Sequence, residues 1–190
     1  MKLALGRRAA RRLAAAATAG CCTLLVSGCG LLGSGAGIAP PNVMTISSGA
    51  FVGGVMPVTF TCGVNKPATP PLSWAGAPPG TKSIALVVDD SSAPITPYVY
   101  WIVFNISPQT QDILAGELPP GAQQARNSAG SIGYLPPCPG STGHTYRFTV
   151  YALDTQLNLP DGASLTSAWR AIAANALPGG RGRTTASATS

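Results

Sequence analysis

One histidine, His144, stands in the stretch PCPGSTGHTY, after a proline-flanked cysteine and two residues before a tyrosine. Histidine readily gains or loses a proton near neutral pH, so this side chain could hold an anion or act as a general base. A lone histidine ahead of a strand could equally be a structural hydrogen-bond partner. The stretch therefore allows two interpretations, a ligand site at the mouth of a pocket and a purely structural imidazole.

Few other residues could do chemistry beside this histidine. The single glutamate is Glu117, and Asp89 and Asp90 are adjacent, so on a strand their side chains point to opposite faces. The chain has no Gly-rich loop ending in Lys-Ser/Thr and no Gly-x-Ser-x-Gly elbow, and one histidine cannot build a multi-histidine metal site. A Ser-His-Asp triad with His144 is arithmetically possible, but no sequence context presents a nucleophile. We therefore predict a non-enzymatic protein without a cofactor or a metal.

Residues 1–28 have the pattern of a bacterial lipoprotein signal. Residues 1–12 carry five basic residues and no acid, and the run from Leu13 to Gly28 has no charge. This run ends in VSGCG, where small residues precede Cys29, the thiol that would take the lipid. We predict an exported protein that is lipid-anchored through Cys29 at the outer face of the cell membrane. The alternative is an ordinary small-residue cleavage site beside a chance cysteine.

Loss of that signal removes most of the basic character of the chain. Of the 12 Lys and Arg, five lie in the signal, which leaves 7 against 6 Asp and Glu. Two of the remaining cations, Arg181 and Arg183, lie close to the end of the chain. We find no Lys/Arg cluster beside stacking aromatics, so we predict no nucleic-acid partner.

The cysteines divide in the same way. Cys21 and Cys22 leave with the signal and Cys29 is the lipidation candidate, so Cys62 and Cys138 remain. Two remaining cysteines in an oxidising envelope compartment usually pair. Two buried free thiols are the alternative.

The rest of the chain divides into a tether, a domain and a tail. Residues 29–42 are rich in Gly, Ala and Pro and are predicted to be a flexible tether. Residues 43–177 are predicted to be one domain, and no window in them offers 18 uncharged apolar residues. Residues 178–190 carry too little apolar surface to offset the entropy of ordering, so we predict a disordered tail.

Short β-type runs separated by turn residues predict a mainly-β domain. One helix is expected in SLTSAWRAIAANAL, with Ser164 as N-cap and with Leu165, Trp169, Ile172 and Ala176 on one packing stripe. The stretches PATPPLSWAGAPPGTK and GYLPPCPGSTG are dense in Pro and Gly and are predicted to be turns. The predicted strands are VMTIS, VMPVTFT, SIALVVDD, YVYWIVFNI and YRFTVYALD.

Four segments, in this order along the chain, are similar to the motifs of a known family. TCGVNKPATPPLSW is similar to a Thr-Cys-Asp-Gly stretch that leads to Pro-Pro-Leu-Ser-Trp, and GAPPGTKSIALVVDDSSAP to a segment that ends in Asp-Pro-Asp-x-Pro. YWIVFNI corresponds to His-Trp-Val-x-x-Asn-Ile, and ARNSAGSIGYLPPCPGSTGHTYRFTVYALD to Arg-Asn-x-x-Gly, Gly-Pro-Cys-Pro and His-Arg-Tyr. Across roughly Pro57 to Leu177 the chain thus resembles the bacterial and archaeal, Raf-kinase-inhibitor-like branch of the phosphatidylethanolamine-binding proteins.

The resemblance implies a fold, a pocket and two alternative roles. The fold is a large antiparallel sheet packed on a smaller sheet, as a β-sandwich with a peripheral C-terminal helix. The resemblance also implies a shallow pocket at one end of the sandwich that binds a small anion or a phospholipid headgroup. The alternative role is that of an envelope inhibitor or regulator, which would bind a protease or a kinase as its protein partner. The family's cysteine pair falls at Cys62 and Cys138. Carried over position by position, the pocket residues are Asp90, Pro94, Tyr100, Pro137, Pro139, His144 and Tyr146.

The chain departs from the family pattern at two places in this pocket. Ser91 and Ser92 replace the Pro and the second Asp of Asp-Pro-Asp, and Tyr100 replaces the first pocket histidine. A tyrosine can donate a hydrogen bond but, with a pKa near ~10, it brings no positive charge at neutral pH. The pocket is therefore expected to depend on His144 as its titratable donor.

Overall fold

The computed structural model describes residues 44–93, 96–140 and 143–189. These residues form two antiparallel sheets and one helix near the C-terminus, as the sequence predicted. The small sheet has the order β1-β2-β5 and the large sheet the order β6-β4-β3-β7-β8. The strands are β1 (Thr45–Ser47), β2 (Leu72–Ala75), β3 (Ser83–Asp90), β4 (Tyr98–Ile106), β5 (Asp112–Ile113), β6 (Gln123–Gln124), β7 (His144–Leu153) and β8 (Ala176–Ala188), and α1 is Leu165–Asn175.

The centre of the large sheet is β3, which is buried along its whole length. It pairs with β4 on one side and with β7 on the other. Its alternate side chains supply two separate hydrophobic clusters, with Leu86 and Val88 in one and Ala85 and Val87 in the other. A strand covered on both faces needs apolar residues at every position, which is why SIALVV is a continuous apolar run.

The first cluster fills the space between the two sheets. Ile46, Leu72 and Trp74 of the small sheet pack with Leu86 and Phe148 of the large one. The predicted packing of a large sheet on a smaller one is therefore confirmed. Both clusters lie within one compact unit, Ala39–Ser190, and we expect this unit to fold without residues 1–38.

The second cluster lies under α1, on the opposite face of the large sheet. The Ser164 hydroxyl caps the helix by accepting from the amide of Ser167 at 3.1 Å, as predicted. The buried helical side chains are Ala168 and Ile172, whereas Trp169 is 41% exposed. The predicted packing stripe is therefore confirmed at Ile172 and at the partly buried Leu165. Trp169 lies at the edge of the stripe and Ala176 is the exposed first residue of β8, while the small Ala168 faces the sheet.

The tail predicted to be disordered is instead the edge strand β8, antiparallel to β7. Its buried positions are glycine or alanine, and a Cβ added at Gly182 would lie 2.7 Å from the carbonyl oxygen of Met44. Ala186 and Ala188 are buried in the first cluster. The prediction failed because this segment is ordered by backbone pairing with β7 and by the close approach of the Met44 backbone to Gly182, rather than by large apolar side chains.

Two further predictions of local structure are wrong. VMPVTFT forms a 3-10 turn at Val58–Phe60 rather than a strand, and Pro57, which has no N–H, precedes it. The LSWA segment, which was predicted to be part of a Pro-rich connection, is the strand β2.

The predicted signal 1–28, the tether 29–42 and Pro94 lie outside the described residues. Within the described part of the chain, no helix combines the length and the apolar character that crossing a bilayer requires.

Candidate anion-binding site

The site lies where β3, β4 and β7 meet at one end of the large sheet. Asp90 is the last residue of β3 and pairs across the sheet with Tyr146 of β7 and Tyr98 of β4. His144 is the first residue of β7, and it lies on the same face as Tyr146 because side chains two apart on a strand share a face. The fold thus gathers a carboxylate, an imidazole and several phenols from three strands.

His144 and Asp90 form the central contact of the site. The imidazole Nδ1 lies 2.6 Å from Oδ2 of Asp90. Asp90 is 4% exposed and His144 is 35% exposed, so the buried carboxylate holds a ring that reaches the surface. Because a carboxylate accepts hydrogen bonds, Nδ1 carries the proton, and Nε2 is the nitrogen available to a ligand.

The other oxygen of Asp90 shapes the turn that follows β3. Oδ1 accepts from the Ser92 amide at 2.7 Å, so an Asx turn forms alongside the histidine contact. The Ser92 hydroxyl accepts from the Thr145 amide at 3.1 Å, and the Ser91 hydroxyl donates to the Thr145 carbonyl at 2.7 Å. The two serines that depart from the family pattern therefore fasten this turn to β7, a role that we did not predict from the sequence.

Two phenols lie beside the His144–Asp90 pair. The Tyr100 and Tyr146 rings meet edge to face at 5.4 Å, and the Tyr146 ring is nearly parallel to that of His144 at 6.1 Å. Burial, reinforced by the charge of Asp90, raises the pKa of Tyr100. Burial also raises the pKa of Tyr146, with the neighbouring Tyr100 and Asp90 acting in the same direction. Both hydroxyls therefore keep their protons at neutral pH and stay hydrogen-bond donors.

The phenols differ in exposure. Tyr146 is fully buried, whereas Tyr100 is half-buried and contacts the exposed ring of Tyr98 at 5.1 Å. In this arrangement His144 and Tyr100 can reach a ligand. Tyr146 lies beneath them and orients both rings.

The Pro-rich loop is fastened to the same end of the sheet. The Leu135 amide donates to the Tyr100 carbonyl at 2.9 Å, and the Cys62 amide donates to the Pro137 carbonyl at 3.0 Å. Pro137 and Pro139 are buried on either side of the exposed Cys138. Cys62 and Cys138 form a disulfide with their Cα atoms 5.2 Å apart, in agreement with the predicted pairing.

Some polar residues near the site have structural roles. The Asn127 side chain donates to the Gly133 carbonyl at 3.1 Å and accepts from two loop amides, and Arg126 donates to the Gly130 carbonyl at 2.7 Å. Both residues tie together the loop after β6. Across residues 44–93, 96–140 and 143–189, no group of three or more His, Cys, Asp or Glu is arranged to hold a metal ion.

The sequence of the chain matches a known protein family. A family model described as phosphatidylethanolamine-binding protein matches residues 47–183. The chain belongs to the phosphatidylethanolamine-binding protein family. Members of this family are generally binding or regulatory proteins.

Relatives in this family come from archaea and bacteria. A UPF0098 protein of Methanothermobacter thermautotrophicus is 44% identical over 116 residues, which cover 58% of this chain and 76% of the relative. The putative lipoprotein LppC of Mycobacterium tuberculosis is 44% identical over 134 residues, covering 68% of this chain and 65% of LppC. The matched part therefore spans slightly less than two thirds of LppC.

Solved structures of family members have the same fold. The putative phosphatidylethanolamine-binding protein homologue CT736 of Chlamydia trachomatis superposes with a TM-score of 0.68 at 32% identity, covering 77% of this chain and 97% of CT736. Escherichia coli YBCL superposes with a TM-score of 0.66 at 26% identity, covering 78% of this chain and 99% of YBCL. The two-sheet architecture is thus that of the phosphatidylethanolamine-binding proteins.

Proposed function

We propose that this member of the phosphatidylethanolamine-binding protein family is an envelope-anchored, non-enzymatic binding protein. Its ligand is a small phosphate-type anion, either free or as the headgroup of a phospholipid. The observation that supports this proposal is the partly exposed His144 imidazole, held by the buried Asp90 carboxylate at 2.6 Å beside the Tyr100 phenol.

The protonation state of His144 decides what the site can bind. A neutral imidazole that donates a hydrogen bond from Nδ1 to Asp90 has only a lone pair at Nε2, and this lone pair repels an anion. The imidazolium offers an N–H donor at Nε2 and also cancels the Asp90 charge. A phosphate oxygen therefore selects the protonated histidine, while Tyr100 supplies a second donor. Phosphate binding should consequently depend on the His144 side chain.

The His144→Ala variant is expected to bind inorganic phosphate about 10- to 100-fold more weakly, because it loses a charge-assisted hydrogen bond. Tyr100→Phe, which removes one neutral donor, should lose less, about 2- to 10-fold. Calorimetry on residues 39–190 measures these affinities at pH 6 and pH 8.

The controls separate this proposal from its rivals. Thr185→Ala, an exposed change on β8, should leave phosphate affinity unchanged. Parallel titrations with phosphoethanolamine and with phosphatidylethanolamine vesicles distinguish a free ligand from a membrane headgroup. Identical isotherms for the wild type and His144→Ala would rule out the site. Capture of a protein partner that survives His144→Ala would instead support a role as inhibitor or regulator.

The envelope location is supported by the name of the relative LppC and by the VSGCG pattern before Cys29. In the full chain expressed in a bacterium, Cys29→Ala is expected to abolish incorporation of labelled palmitate, because the variant lacks the thiol to be acylated. Cys22→Ala is the matched control, since it removes a cysteine within the predicted signal, and it should label like the wild type. Labelling that persists in Cys29→Ala would disprove lipidation at this residue.

A further inference from the structure

The face of the large sheet that carries α1 also bears a positively charged strip. The exposed residues of β8 include Arg181 and Arg183, which pair in register with Tyr151 and Thr149 of β7. Trp169 of α1 contacts the Tyr151 ring edge to face at 6.4 Å. We call Tyr151, Trp169, Arg181 and Arg183 the arginine–tryptophan strip.

The strip is exposed because α1 covers only part of this face. Ala168 and Ile172 of α1 pack in the second cluster with residues of β3 and β4, such as Val87 and Ile102. The outward side chains of β8 remain at the surface. Among the three tryptophans, Trp74 and Trp101 are 5% and 1% exposed, whereas Trp169 is 41% exposed. A large indole is therefore presented to solvent on the same face of the large sheet as Arg181 and Arg183.

Charges around the strip leave it positive. Arg147 of β7 lies on the same face, but its guanidinium pairs with Asp89. Asp154, which follows β7, is exposed and offsets one positive charge at the end of the strand. Arg170 of α1 is exposed next to Trp169 in the sequence and adds another cation. The complementary partner is therefore anionic.

An anionic lipid surface fits these features better than an acidic protein or a nucleic acid. Tryptophan places its ring at the boundary between headgroups and acyl chains, and arginines near an anionic bilayer attract it electrostatically. The chain also enters the domain beside this strand, because the Met44 carbonyl lies against Gly182. The segment from Cys29 to Met44 spans at most roughly 50 Å when extended, so an anchored domain stays within reach of the bilayer.

We propose that the arginine–tryptophan strip docks the domain onto an anionic lipid surface. This surface is separate from the candidate anion-binding site, because Tyr151 and His144 are seven residues apart on β7, roughly 23 Å, and lie on opposite faces of the sheet. The docking therefore does not depend on the phosphate ligand or on His144. It would fix the orientation of the domain and leave the His144 end of the sheet away from the docked strip.

Vesicle binding of residues 39–190 tests this proposal. We expect co-sedimentation with phosphatidylcholine vesicles that contain 30% phosphatidylglycerol, and release at 0.5 M salt, because screening weakens such attraction. Arg181→Gln with Arg183→Gln should weaken binding about 25-fold, since each arginine contributes roughly fivefold. Tryptophan emission should shift to the blue on binding and should do so through Trp169, because Trp74 and Trp101 are already buried. Trp169→Ala should abolish the shift.

A matched variant shows whether position or net charge matters. Lys66→Asn with Arg126→Gln removes the same charge from exposed residues outside the strip, and it should bind vesicles like the wild type. An equal loss in both double variants would overturn the proposal, as would equal binding to pure phosphatidylcholine vesicles. Binding to polyglutamate or DNA without binding to vesicles would assign the strip to a different anionic partner. Circular dichroism and thermal melts of each variant confirm that the fold is retained.

Discussion

A chain that ends at Leu177 is expected not to fold. This truncation removes nearly all of β8, which pairs with β7 from Tyr151 to His144, and it deletes Ala186 and Ala188 from the first cluster. Each lost ladder hydrogen bond contributes about 1 kcal/mol, so the total loss is comparable with the 5–15 kcal/mol that typically stabilises a domain. The truncated chain should lack a cooperative thermal transition in circular dichroism, and its exposed β7 edge should make it aggregate.

A shorter truncation provides the control. A chain that ends at Ala188 loses only Thr189 and Ser190 and keeps all of β8, so it should melt like the full-length chain. A disordered tail would make both truncations harmless. A cooperative melt of the Leu177 chain at the full-length temperature would therefore overturn the assignment of β8.

The strand β8 could not be predicted from its own residues because its order comes from distant parts of the chain. PGGRGRTTASA has no apolar alternation, and its glycines are typical of a loop. Gly182 is needed because the backbone of Met44, which is 138 positions earlier in the sequence, passes too close for a side chain. By contrast, β3 and β4 carry continuous apolar runs, and their positions were predicted correctly from local sequence.

The small sheet contains a strand that local sequence also failed to predict. Leu72 and Trp74 alternate with the exposed Ser73 and Ala75 and face the core, but the prolines before them masked this short strand. Val58 is 56% exposed although its apolar neighbourhood predicted a strand. Composition alone could not distinguish these segments, because Pro57 and the pairing of β2 with β1 decide which one joins a sheet.

The candidate site was predictable where residue type fixed the chemistry. The order of the motifs indicated Asp90 and His144, and the structure places them in direct contact. The burial of Tyr146 was not predictable, because the cover over that face comes from residues distant in sequence. The arginine–tryptophan strip was also missed, since the pairing of β8 with β7 is what places Arg181 and Arg183 beside β7, where the Tyr151 ring contacts Trp169.

Replacing Cys62 and Cys138 together by serine is expected to lower the free energy of unfolding by about 4 kcal/mol. The disulfide joins residues separated by 76 positions, and a crosslink over such a loop restricts the unfolded chain by about that amount. Both cysteines are exposed, so little burial is lost with them. The melting temperature should fall by about 10 °C, and urea titration measures the change in free energy.

The same variant also tests whether the disulfide acts on the folded site or on the unfolded chain. The Cys62 amide still donates to the Pro137 carbonyl, and the Tyr134 hydroxyl still donates to the Phe60 carbonyl at 2.8 Å, so the Pro-rich loop should keep its place in the folded protein. Phosphate affinity should then be unchanged, and reduced wild type should unfold like the double variant. A parallel loss of phosphate affinity would show that the disulfide shapes the site itself, whereas a stability change below about 1 kcal/mol would contradict the loop-entropy argument.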